Sequence, residues 1–119
     1  MPKPIAILAA ALVLAACAVT PHNYPIFFPK DVTSLTPEGQ ALVSEIAQRG
    51  TTLHAVRIIV RGEADGTTDQ DIALADIRAA HVVTALSEAG LDAARIERRP
   101  PGTQDDATVM RRVIVTFEP

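Results

Sequence analysis

The sequence predicts an α/β (α+β) sandwich in which two helices pack on one face of a mixed four-stranded sheet. Two segments show the apolar period of an amphipathic helix, and four show strand patterns, in the order β-α-β-α-β-β. The 119 residues include three Phe, one Tyr and no Trp, so the core has to be built from Val, Ile, Leu and Ala, which suits helices packed on a sheet. We therefore expect one small domain.

The four strands are expected where β-branched and aromatic residues lie between Pro and Gly. They cover Tyr24–Phe28, Val56–Arg61, Ala94–Arg99 and Arg112–Phe117. Prolines confine the first, as is typical of an edge strand, and Gly62 should end the second. A loop is expected over Pro100–Asp106.

The two helices have clear start and stop signals. Thr36-Pro37-Glu38 combines an N-cap hydroxyl, a proline at the first helical position and an acidic first turn, and Gly50 should end this helix near Arg49. A second helix is predicted over Gln70–Glu88, with Gly90 as its stop. The apolar face of the first comprises Ala41, Leu42, Ile46 and either Val43 or Ala47. That of the second comprises Ile72, Ala75, Ala79, Val82, Val83 and Leu86.

The N-terminus has the anatomy of an export signal. Lys3 gives it a weakly positive start, and Ile5–Leu14 is apolar throughout but too short to cross a bilayer as a stable anchor. The run ends in Leu14-Ala15-Ala16-Cys17, which resembles the lipobox of bacterial lipoproteins. The alternatives are a plain secretory signal followed by a coincidental Cys, and a buried helix rich in Ala.

The lipobox resemblance implies how the chain is divided and where it is located. Residues 1–16 would be a cleaved lipoprotein signal peptide, residues 17–23 the lipidated Cys17 with a tether, and residues 24–119 the domain. The lipid on Cys17 would hold the chain to a membrane. Ala18 follows the Cys where enteric lipoproteins kept at the inner membrane have Asp, so we expect the outer membrane, with the domain in the periplasm.

The composition argues against several functions. The formal charge is −3 and aromatic residues make up 3%, so neither a basic patch nor a stacking surface for nucleic acid is expected. A single Cys excludes an internal disulfide and leaves no metal-type spacing. No nucleophile, base and orienting acid stand at an interpretable spacing, so we expect neither an enzyme nor a cofactor.

Three charged residues form the candidate binding site. Asp65 follows the second strand, Asp71 lies in the first turn of the next helix, and Arg78 lies two turns further along the same flank. Together with the positive end of the helix they would offer both signs of charge, which suits a ligand that carries a carboxylate and an ammonium. We expect the charged atoms of Asp65 and Arg78 to face a common open cleft. The alternative is that each is an ordinary turn or surface residue.

Several segments together resemble a known family. They are Leu35–Leu42, Gly62–Asp65, Leu74–Ala79, Gly90–Ile96 and Arg111–Val113. In this order they resemble the OmpA-like peptidoglycan-associating domain, including its lipoprotein form, over roughly residues 24–118. The resemblance implies that Asp65 meets the ammonium of diaminopimelate in the peptidoglycan stem peptide and that Arg78 meets its carboxylate. It further implies that Arg111 or Arg112 helps to close the site.

The sequence also departs from the family pattern. Gly62-Glu63-Ala64-Asp65 stands where the family usually has Gly-His-Thr-Asp, Asp71 replaces an Asn, and the interval between Asp65 and Asp71 is two residues shorter than usual. Two functions therefore stay open. One is a tether between the outer membrane and peptidoglycan. The other is a structural subunit of an envelope, secretion or pilus assembly that binds envelope proteins instead.

Overall fold

The computed structural model describes residues 23–53, 56–103 and 111–119. The expected signal peptide, Cys17 and nearly all of the tether lie outside this part of the chain. The two helices are α1 (Pro37–Thr52) and α2 (Asp69–Glu88), and a short 3-10 turn covers Ala93–Arg95. The strands are β1 (Asn23–Phe27), β2 (Arg57–Ala64), β3 (Ile96–Arg98), β4 (Gly102–Thr103) and β5 (Arg112–Glu118).

The strands form one mixed sheet in the order β1-β5-β2-β3, with β4 continuing alongside β2 beyond β3. β5 is antiparallel to both β1 and β2, whereas β2 and β3 are parallel and are connected through α2. Both helices pack on one face of the sheet. The buried core consists chiefly of Ile26, Phe28, Val43, Ile46, Ile58, Val60, Val82, Leu86, Val113, Val115 and Phe117. The predicted α+β architecture is confirmed.

β1 is an edge strand, and its proline occupies the position that an edge strand tolerates. The N–H of Phe28 donates to the carbonyl of Arg111 at 2.8 Å, so alternate residues of β1 face β5 with their N–H groups. Pro25 lies opposite Ile114 at an intervening, non-bonded position. Its missing N–H is therefore on the outer side, where it interrupts the row of free backbone groups that would otherwise invite another strand.

The N-cap predicted for α1 is present, and α2 begins at Asp69, one residue before the predicted Gln70. The Thr36 hydroxyl accepts from the Gly39 N–H at 3.0 Å, with Pro37 as the first helical residue. Thr68 and Asp71 form a reciprocal capping box at the start of α2, with hydrogen bonds of 3.1 and 3.3 Å. Gly90 follows the end of α2 with a φ of +112°, a conformation that favours glycine. The capping box fixes where α2 begins after β2.

The predicted end of α1 was wrong. Gly50 lies inside the helix, which continues to Thr52, and Gly50 is buried rather than terminal. A Cβ at this position would come within 2.7 Å of a Leu91 methyl group. The absence of a side chain at Gly50 therefore leaves room for Leu91 to pack against α1. The buried face contains Val43, Ile46 and Ala47, whereas Ala41 is exposed and Leu42 partly buried.

Strand boundaries also differ from the predictions. β2 runs through Gly62 to Ala64, because the absence of a side chain lets the strand lie against α2: a Cβ on Gly62 would be 2.3 Å from the Ala75 carbonyl oxygen. The expected third strand is split into the 3-10 turn and the three-residue β3, and the expected loop contains β4. Within the described ranges, neither helix is long and apolar enough to cross a membrane.

Candidate functional site

Asp65 and Arg78 meet at the junction between β2 and α2. Asp65 follows the last residue of β2, and Arg78 projects from the middle of α2 toward it. Nη1 of Arg78 donates to Oδ1 of Asp65 at 3.0 Å, a charge-assisted hydrogen bond within a salt bridge. The sequence prediction that these two residues come together is therefore matched by the geometry.

The guanidinium of Arg78 is completely buried. Its side chain is 0% exposed, whereas that of Asp65 is 19% exposed. Nε donates to the Val32 carbonyl at 2.8 Å and Nη2 to the Pro29 carbonyl at 3.1 Å. The ring of Phe28 lies 5.4 Å from the guanidinium carbon, which adds a cation–π contact. All three nitrogens of Arg78 are thus engaged by the protein itself.

This arrangement corrects the expectation that both charged groups face an open cleft. It holds for Asp65, which lines a cleft of about 620 Å³, and it is wrong for Arg78, which lies behind the cleft wall. The reason is the loop between β1 and α1, whose carbonyls cover the guanidinium and accept hydrogen bonds from it. The helical period that places Arg78 on the flank of α2 cannot reveal this loop.

The cleft is predominantly acidic. Its charged lining residues are Lys30, Asp31, Asp65 and Asp71, and its remaining walls are Gln70, Ala73, Leu74 and Ile77. Asp71 thus lines the cleft as expected, but its carboxylate also accepts from the Thr68 N–H in the capping box. Within the described chain, no group of three or more His, Cys, Asp or Glu side chains is placed to hold a metal ion.

Arg111 and Arg112 do not line this cleft. Arg111 is exposed, with a φ of +59°, and its backbone carbonyl holds the end of β1 through Phe28. Arg112 lies opposite Glu63 on the sheet face away from the helices, because it alternates along β5 with the buried Val113. The structure therefore does not bring either arginine to Asp65. The role in closing the site that the family resemblance implies for them stays a prediction.

Glu63 departs from the family motif without adding charge to the cleft. Its side chain is 3% exposed and lies beside β4, where its Oε2 would be 3.4 Å from a Cβ on Gly102. Oε2 of Glu63 and Nε of Arg112 are buried and have no hydrogen-bond partner among the residues that the structure describes. The negative charge that the altered motif introduces is thus on the opposite face of the sheet from Asp65.

Sequence reasoning missed the loop that completes the site. Lys30 and Asp31 line the cleft, and the carbonyls of Pro29 and Val32 hold Arg78. The sequence does contain a turn signal, because Pro29 and Asp31 are residue types that favour turns. It was interpreted only as the end of the first strand.

Comparison with known proteins supports the same fold. No family model matches the chain. Outer membrane protein A of Bordetella avium is 36% identical over 76 residues, which are 62% of this chain and 39% of that protein. The chain thus matches well under half of that relative's length.

Solved structures resemble the whole domain. The peptidoglycan-associated lipoprotein from Burkholderia pseudomallei has a TM-score of 0.67 and 26% identity, over 79% of this chain and 89% of that one. The OmpA-like domain of FopA1 from Francisella tularensis has a TM-score of 0.66 and 18% identity, over 81% and 73%. The C-terminal domain of Helicobacter pylori MotB has a TM-score of 0.67 and 21% identity, over 81% and 84%. The last two show the shared fold alone.

An open mixed sheet with two helices on one face, and a charged cleft where β2 meets α2, characterise this small α+β domain. In sequence and in fold, the described part of this chain resembles OmpA-like domains.

Proposed function

We propose that this domain binds peptidoglycan non-covalently at the Asp65 cleft and that a lipid on Cys17 ties it to the outer membrane, with the domain in the periplasm. The observation that carries the binding proposal is the carboxylate of Asp65, which a buried guanidinium fixes at the edge of an open cleft. Support also comes from the similarity to a peptidoglycan-associated lipoprotein and to an outer membrane protein.

The geometry of Asp65 suits an ammonium group. Oδ1 accepts from Arg78, which orients the carboxylate, and Oδ2 is not part of that bond. Asp71 and Asp31 add two further carboxylates to the same cleft. Three acids around one opening favour a positively charged ligand group, such as the side-chain ammonium of diaminopimelate in a stem peptide.

Sedimentation with isolated sacculi tests this proposal. Purified residues 18–119 should pellet with sacculi, and Asp65→Asn, which keeps the size but removes the charge, should stay in the supernatant. Asp76→Asn is the matched control, since Asp76 lies on α2 and pairs with Arg98 outside the cleft. Equal pelleting of Asp65→Asn and wild type, or loss of pelleting in both Asn variants, would contradict a site at Asp65.

Folding of the Asp65 variant has to be verified separately, because Asp65 partners a buried charge. Its circular dichroism spectrum and its unfolding midpoint report whether the domain is intact. Asp71→Asn gives a second reading of the site, since Asp71 lines the cleft without contacting Arg78. It should weaken pelleting while leaving the Arg78 environment unchanged.

The lipid anchor is tested through the one Cys of the chain. Growth with a labelled fatty acid should label the wild-type chain and leave Cys17→Ala unlabelled, and wild type should fractionate with outer membranes. An unlabelled wild-type chain would contradict lipidation. Label that separates with the inner membrane would contradict the outer-membrane location while keeping the anchor.

A second candidate function is a structural subunit of an envelope assembly that binds proteins rather than peptidoglycan. One observation favours it: Arg78 is fully buried and therefore has no exposed donor for a ligand carboxylate. Crosslinking in cells distinguishes the two functions. Recovery of a stoichiometric protein partner, together with no retention on sacculi, would support the second and reject the first.

A further inference from the structure

The two ends of the sheet carry different parts of the molecule. β2 begins at Arg57 and ends just before Asp65, and its antiparallel neighbour β5 ends at Glu118, opposite Arg57. β1 is also antiparallel to β5 and begins at Asn23, opposite Thr116. The starts of β1 and β2 therefore lie at one end of the sheet, called the entry end here, and Asp65 lies at the other, called the cleft end.

The C-terminal turn of α1 lies at the entry end as well. Nη1 of Arg49 donates to the hydroxyl of Tyr24 at 3.2 Å, beside the start of β1. The guanidinium of Arg95 donates to the carbonyls of Leu53 and Val56, just before β2 begins. The entry end is thus formed by the starts of β1 and β2, the end of α1 and the end of β5.

The distance between the two ends follows from the length of β2. The strand has 8 residues, and Asp65 follows its last residue directly. At about 3.3 Å per residue, the cleft end lies roughly 26 Å from the entry end.

A lipid on Cys17 would allow the entry end little freedom. Five residues, 18–22, separate Cys17 from Asn23 in the sequence. The six steps between them reach at most about 22 Å when the chain is fully extended, and a flexible chain of this length spans roughly 12–15 Å on average. This average is about half the length of β2. The anchor therefore keeps the entry end close to the lipid surface and the cleft end away from it.

The entry end also exposes an apolar side chain. Leu53, which follows α1, is 44% exposed. The other large apolar side chains that are exposed among the described residues, Phe27 and Ile77, lie towards the cleft end: Phe27 is the last residue of β1, and Ile77 lines the cleft. Leu53 is thus placed to lose water when the entry end meets the lipid interface.

The charged side chains at the entry end balance one another. Arg49 pairs with Glu45 at 4.0 Å, and Arg57 pairs with Glu97 at 3.7 Å. Both pairs are largely exposed, so they leave little net charge to attract anionic headgroups. Contact with a membrane at this end would therefore depend on the anchor and on Leu53 rather than on the charge of the lipids.

We propose that the entry end is a membrane-contact surface, on which Leu53 meets the lipid interface, and that the cleft points away from the membrane. This inference rests on the proposed lipid on Cys17 and adds an orientation of the domain. Asp65 would lie no more than roughly 50 Å from the lipid surface, since the extended tether and β2 together span about this distance.

Fluorescence quenching in phosphatidylcholine vesicles tests the orientation with the full lipidated chain. The chain has one Cys, which carries the lipid, so a cysteine introduced elsewhere is a unique free thiol for a fluorophore. Thr52→Cys places the fluorophore at the entry end and Thr67→Cys places it beyond Asp65, and both threonines are exposed. With a quencher on the lipid headgroups, the label at position 52 should lose most of its fluorescence, whereas the label at position 67 should keep nearly all of it.

Two further changes separate the roles of the tether and of Leu53. Insertion of about twenty Gly and Ser residues after Ala18 raises the average span of the tether to roughly 25–30 Å and should relieve the quenching at position 52. Leu53→Gln should lower this quenching as well. Phe27→Gln is the matched control, since it removes an exposed apolar side chain at the cleft end and should leave the quenching unchanged. Adding phosphatidylglycerol to the vesicles should have no effect.

The outcomes distinguish the orientation from the proposed function. Equal quenching at positions 52 and 67, or stronger quenching at position 67, would overturn the orientation while leaving the anchor and peptidoglycan binding in place. Quenching at position 52 that requires phosphatidylglycerol would overturn the role of the tether, and unchanged quenching in Leu53→Gln would remove Leu53 from the contact surface. A wild-type chain that does not float with the vesicles would overturn the proposed anchor itself.

Discussion

At the scale of single residues, the notable feature is a charged side chain used as a core residue. Arg78 is the largest fully buried side chain in the described part of the chain. A buried cation is tolerated only when it is paired and its remaining donors are satisfied. Here one carboxylate and two carbonyls meet that requirement. The pair thus serves the structure and orients Asp65 at the same time.

We predict that Arg78→Met lowers the free energy of unfolding by about 3–5 kcal/mol, because it leaves Asp65 partly buried without its partner and two carbonyls without a donor. Urea denaturation followed by circular dichroism measures this. Arg98→Met is the matched control, since Arg98 is about half exposed and its pairing with Asp76 spans 3.8 Å. It should change stability by less than about 1 kcal/mol. A similar small change in Arg78→Met would contradict the structural role.

At the scale of elements, the contact between β2 and α2 sets the position of the site. The strand packs closely against the helix at Gly62, three residues before Asp65. This close packing between the two backbones places the end of β2 beside the middle of α2, from which Arg78 projects. The glycine is therefore required for a close approach between two backbones rather than for a turn.

Gly62→Ala should accordingly destabilise the domain by more than about 2 kcal/mol, because the new Cβ would meet a helix carbonyl, which cannot rotate away. A control is Gly102→Ala in β4, where the nearest atoms to a new Cβ lie at 3.4 Å or more and belong to flexible side chains. It should stay within about 0.5 kcal/mol of wild type. Thermal and urea unfolding of the two variants side by side provide the comparison, and equal stability of both would contradict the close-packing argument.

At the scale of the whole molecule, the sequence was informative wherever the structural cause is local. The positions of both helices, the Thr36 N-cap and the role of Gly90 follow from residues adjacent in the chain, and each was predictable. Gly50, the burial of Arg78 and the short β4 depend on segments far away in sequence, such as Leu91 and the loop after β1. Charge and spacing along α2 indicate which residues can meet, but they do not show what covers them.

The last prediction concerns where the domain begins. β1 contributes Ile26 to the core, and the following Phe28 and Pro29 contact Arg78. β1 also pairs along the whole length of its strand with β5. A chain that starts at Asn23 should therefore fold, whereas one that starts at Lys30 should not, because it loses an edge strand, two buried side chains and a carbonyl partner of the buried guanidinium.

Near-ultraviolet circular dichroism is unsuited to so few aromatic residues, so dispersion of amide signals in a two-dimensional NMR spectrum is the measurement of choice. A dispersed spectrum for the shorter chain would show that β1 is dispensable for folding.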